Sequence, residues 1–89
     1  MKPDEVCEKY SNKKVGLSIK LMDPEDHGEE PTMVLIEGSS DALGMLAELL
    51  TAVATEQKVD GFSISPFGAG RIHFAKKSKL GVYIHKLDR

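Results

Sequence analysis

Three histidines, His27, His73 and His85, are the residues best suited to hold a metal or to move a proton near neutral pH. Zinc needs three or four converging ligands, commonly at short spacings. These three are far apart in the chain, so the expectation is a solvated, non-ligating set, with no metal or other cofactor. The acidic stretch 23–31 sets Asp23, Glu25 and Gly28 at the first, third and sixth places of a calcium loop. Val34 falls at the twelfth place, where the bidentate Glu belongs, and the pattern fails. Phe67-Gly68-Ala69-Gly70-Arg71 carries a G-x-G beside a base. It lies between expected strands, without the helix whose N–H groups would cradle a phosphate. No serine stands in a nucleophile-elbow context. Cys7, the single cysteine, is flanked by Glu5 and Glu8, which disfavour a thiolate. The chain is therefore expected not to be an enzyme, and no catalytic residue is assigned.

One constellation is compatible with binding. Residues 71–75 and 80–87 alternate as strands would, and cross-strand partners share a face. Ile72 and Phe74 would oppose members of Leu80, Val82 and Ile84 across a loop of three or five residues. Arg71, His73, Tyr83 and His85 would then gather on the opposite, polar face. Arg and Tyr are enriched at binding hot spots, and histidines add a pH-sensitive charge. This face is the candidate binding site, with Lys20 and Ser18 as an extension.

The chain that would carry this face is organised around residues 40–57, the expected long helix. Leu43, Leu46, Ala47, Leu50, Val53 and Ala54 recur at i, i+3, i+4, i+7, i+10 and i+11, one face of a 3.6-residue repeat. Leu46, Leu50 and Val53 are the expected core anchors. Ser39 or Ser40 suits the N-cap and Asp41 the first turn. A second apolar stripe, with Met45, Leu49 and Ala52, exceeds what one sheet can cover and is the candidate self-association surface. Residues 15–21 alternate Val15, Leu17, Ile19 and Leu21 with polar or small residues, and 32–37 is short and apolar, so the two predict a wide hairpin. Residues 61–67 read as a further strand, and 1–14 as an irregular lead-in in which Val6 and Tyr10 could anchor one helical turn. The expected fold is a single small α+β domain over 1–89. It has two layers, an antiparallel sheet of about five strands in the order β-β-α-β-β-β, and one long helix on one face.

Composition narrows the function further. A chain of 89 residues that is 40% hydrophobic and 29% charged can bury one small core. No apolar run reaches the ~20 residues of a membrane span, and 1–5 lacks the apolar centre of a signal peptide. A cytoplasmic location is expected, with no membrane partner. Net charge is −2, but residues 1–57 hold five Lys against twelve acids and 58–89 hold seven Lys or Arg against two Asp. Few aromatics and no tryptophan argue against nucleic acid. The expected partner is another protein or a second copy of the chain. A small ligand-binding domain or enzyme using the polar sheet face is the alternative.

From Glu37 onward the chain resembles the immunity protein 32 family of bacterial toxin-antidote systems. The similarity is carried by Ile36-Glu37-Gly38, by the helix around Leu46-Ala47-Glu48-Leu49-Leu50, by Phe62-Ser63-Ile64-Ser65-Pro66, and by Leu80-Gly81-Val82-Tyr83-Ile84-His85. Ser63 and Ser65 stand where a histidine would be sought in that strand, and the family supplies no catalytic residue. The resemblance implies a bacterial protein that binds and blocks a toxin.

Overall fold

The long helix forms where its signals place it. In the computed structural model, which describes residues 1–23 and 33–88, it is α2, Ser40–Thr55. The Ala42 N–H donates to Ser39 Oγ at 3.1 Å, and the same hydroxyl donates to Val15 O at 2.8 Å. One serine thus caps the helix and ties its start to the lead-in of the first strand. The buried face is Ala42, Met45, Leu46, Leu49, Ala52 and Val53. That is the expected spacing displaced by one residue. Leu46 and Val53 are buried as expected, but Leu50 is 51% exposed and Leu43 faces solvent with it.

Residues 1–14 are not an irregular lead-in. Pro3–Lys9 form α1, with Pro3 at the first helical position, Asp4 and Glu5 in the first turn, and the Lys2 N–H donating to Glu5 Oε1 at 2.7 Å. Val6 and Tyr10 enter the same core cluster as Met45, Leu49 and Ala52. Glu48 fastens the two helices: it accepts from Lys9 Nζ at 2.8 Å and from the Tyr10 hydroxyl. Those bonds hold the Glu48 carboxyl below the usual carboxylate range. The second apolar stripe of α2 is therefore core. It is covered by α1, which withdraws Met45, Leu49 and Ala52 from any subunit contact.

The β structure is α+β in class but divided. Strands β1, Ser18–Leu21, and β2, Val34–Glu37, pair antiparallel as the expected hairpin, with Ile19 opposite Ile36 and Leu21 opposite Val34. Strands β3, Gly61–Ile64, and β4, Val82–His85, form a second antiparallel pair, with Gly61 opposite His85 and Ile64 opposite Val82. There are two two-stranded sheets among the described residues rather than one sheet of five. Residues 73–80 link them. The Leu17 N–H donates to His73 O and the Ala75 N–H to Leu17 O, both at 2.8 Å, and Leu80 N–H donates to Ile19 O at 2.9 Å. Lys76 and Lys77 fall between these bonds, and there the Ser78 hydroxyl accepts from the Ile19 N–H at 2.9 Å. A side chain substitutes for the missing backbone acceptor, as burial requires.

The expected strand over 71–75 is instead a 3-10 turn, Arg71–His73. Its cause lies upstream. Pro66 ends β3, and consecutive turns follow, with Gly68 N–H to Ser65 O, Arg71 N–H to Gly68 O and His73 N–H to Gly70 O. Gly70 takes φ +83°, which aims the chain into the turn. Only Phe74 keeps a strand-like contact, a parallel bridge to Leu17. The hairpin expected between 71–75 and 80–87 does not form.

Candidate interaction surface

Losing that hairpin disperses the four residues expected to share a face. Arg71 is exposed on the 3-10 turn, whereas His73 is buried and its carbonyl is committed to β1. Ser18 is buried in the other sheet and extends nothing. Tyr83 and His85 alone remain together. Successive odd residues of β4 project from its outer face, where Tyr83 is 72% exposed and His85 is also open to solvent. Their rings lie 6.0 Å apart between centroids, tilted by 49°. Gly61, opposite His85, makes room for this: a Cβ there would come within 2.9 Å of Tyr83 Cε1. The tyrosine ring therefore leans over a bare stretch of β3. Two residues beyond His85, Leu87 is 91% exposed. The inner residues Val82 and Ile84 pack against the core cluster and hold the strand.

Burial alone lowers the His73 pKa below that of a free imidazole. A histidine depressed in the folded state stays neutral there while the unfolded chain takes up the proton. Its stabilising effect is full above the unfolded pKa of about 6.5 and is lost as pH falls below it. Acidification from pH 7.5 to 5.5 is therefore expected to destabilise the wild type more than His73→Gln, measured by urea melts at each pH. Equal losses in the two proteins would remove His73 from the pH response.

The other candidates resolve as follows. His27 and all of the acidic stretch beyond Asp23 up to residue 32 lie outside the described residues. Among the described residues, no three His, Cys, Asp or Glu side chains gather closely enough to hold a metal ion. Burial pushes the Cys7 thiol up, and the Asp4 carboxylate adds to the effect. A shallow groove of about 240 Å³ lies between the helices, lined by Met1, Val6, Ala47, Thr51 and neighbouring residues. It is a seam of the α1–α2 packing. No helix among the described residues is long and apolar enough to cross a membrane.

Two features escaped the sequence reading. Leu43, Ala47, Leu50 and Ala54 form an exposed stripe along α2, with Ala47 also bordering the groove toward α1. Exposed apolar side chains also mark the β1–β2 hairpin, at Leu21, Val34 and Ile36. The sequence did signal the second: Leu21, Val34 and Ile36 share the face of Ile19, and one helix is too narrow to cover every strand.

No protein-family model, curated protein or solved structure matches the chain.

Proposed function

We propose that the protein is a non-enzymatic protein-binding module of the immunity type, acting in a bacterial cytoplasm by covering part of a toxin. The observation that carries this reading is the outer face of β4. There Tyr83 and His85 stand exposed side by side on a strand anchored from behind by Val82 and Ile84, and Leu87 is exposed just past its end. A tyrosine offers large contact area and a hydroxyl with few rotors to freeze, which makes it a frequent hot-spot residue. The ring already leans over Gly61, so little ordering cost remains to be met on binding. The face is open rather than concave, and it suits a protein surface better than a small substrate. Residues 80–85, which include this strand, carry part of the resemblance to immunity proteins, which supports a toxin as the partner class.

The test is calorimetric titration of the partner captured from the source cells. Tyr83→Ala is expected to weaken binding by about 2 kcal/mol, roughly thirtyfold, with the urea midpoint nearly unchanged. Ile72→Ala, exposed on the 3-10 turn, serves as the control that leaves affinity alone. A partner that ignores Tyr83→Ala is not bound by this face.

A further inference from the structure

The hairpin register settles which backbone groups of β2 turn away from β1. The Met22 N–H donates to Met33 O at 2.8 Å, so Met33, Leu35 and Glu37 bond inward. The N–H and C=O of Val34 and Ile36 therefore point outward. The opposite edge of β1 confirms the alternation, because Leu17 and Ile19 bond outward there to residues 73–80. On β2 the four outward groups have no partner among the described residues. Natural edge strands guard against pairing with charges, proline or a bulge. On β2 the one such guard is Glu37 at its end, already paired with Lys77; Met33-Val34-Leu35-Ile36 carries no charge or proline, and Val34 and Ile36 are 53% and 44% exposed.

We propose that this edge pairs with the same edge of a second copy of the chain, antiparallel about a two-fold axis through Leu35. The edge is complementary to itself. An antiparallel pair needs residues spaced by two that each offer an outward donor and acceptor, and β2 offers two of them. The two-fold sets Val34 against the partner's Ile36 and Ile36 against the partner's Val34, closing four backbone hydrogen bonds. Leu35 meets the partner's Leu35. On the other face Leu21, Val34 and the partner's Ile36 form one apolar row, since cross-strand neighbours share a face. Charge permits this register: Met33 faces the partner's Glu37, and no two carboxylates oppose each other. Each Glu37 keeps its Lys77, at 2.9 Å. The product is a four-stranded sheet in place of two short hairpins, which are marginal alone. The contact is small, which puts the dimer among weak, reversible associations. It lies on the sheet that does not carry Tyr83, and it stands whether or not the β4 face binds a toxin.

Sedimentation equilibrium from low to high micromolar concentration tests it, with circular dichroism to monitor folding. Val34→Pro removes one outward N–H while leaving the inward ladder intact, because the Val34 N–H takes no part in that ladder. Ile36→Lys places a charge against the partner strand and decides the matter should Val34→Pro not fold. The wild type is expected to shift from monomer to dimer across the range, and the folded variants to stay monomeric throughout. A wild type that is monomeric at high micromolar concentration overturns the proposal. So does a dimer that persists in the folded variants, which would put the contact elsewhere, as on the Leu43–Leu50 flank of α2.

Discussion

Leu49→Ala is expected to destabilise the protein by about 2–5 kcal/mol, while Leu50→Ala, one residue on, costs about 1 kcal/mol or less. Leu49 is fully buried between α1 and the strands, in the cluster with Val6, Tyr10, Leu17 and Ile19. Truncating it removes the transfer free energy of three carbons and leaves a cavity that two helices and a sheet cannot all close. Leu50 projects to solvent and loses only part of a side chain that was half hydrated already. Urea denaturation of the two variants measures both. Equal losses, or a larger one for Leu50→Ala, would mean that α2 is rotated by about 100° from the face described.

Gly70→Val is expected to cost several kcal/mol, from two sources that act together. The residue sits at φ +83°, where a β-branched side chain is strained by about 1–3 kcal/mol. A Cβ there would also come within 2.6 Å of Ile64 Cγ2, and Ile64 is a buried residue at the end of β3. Overpacking of that kind costs about 1–3 kcal/mol more. The damage reaches β1, because Gly70 begins the turn whose His73 carbonyl accepts from Leu17. Gly68→Val is the control: a Cβ there meets nothing within 4 Å, and the expected change is within about 0.5 kcal/mol. Parallel melts of the two variants separate the positions. Equal midpoints would show that Gly70 is an ordinary loop residue.

These two positions also show what the sequence could and could not reveal. The existence, length and N-cap of α2 were legible, because a 3.6-residue apolar repeat follows a capping serine. Its rotation was not, since two stripes one residue apart satisfy the same spacing. The more hydrophobic stripe, with Leu43 and Leu50, was the natural choice. The buried one carries Ala42 and Ala52, small residues that let neighbouring elements approach closely. Gly44 belongs to the same packing: a Cβ there would lie 3.5 Å from the Tyr10 hydroxyl. Choosing between the stripes required knowing that α1 exists. Its signals were Pro3, Asp4 and Glu5 ahead of Val6 and Tyr10, but a seven-residue helix gains little from propensity and depends on what it packs against.

The candidate site failed for a related reason. Arg71 to Phe74 alternate for only two cycles, too few to distinguish a strand from a 3-10 turn entered through a left-handed glycine. Glycine at position 70 was visible, but a glycine tolerates either sign of φ, and the positive φ and the closeness to Ile64 belong to the run of turns over 65–73, which two cycles of alternation do not reveal. Tyr83 and His85 survive as neighbours because both lie on one real strand and alternate within it. The hairpin of β1 and β2 was legible for the same reason, with clean period-two alternation in 15–21. Its open edge followed only once the register was known.

Hydrogen exchange of the complex with the captured partner locates the bound surface. Slowed amide exchange on binding is expected in β3 and β4, residues 61–64 and 82–85, and is lost again when Tyr83→Ala replaces the wild type. Protection confined to the exposed flank of α2 or to the α1–α2 groove, with β4 unchanged, would contradict it.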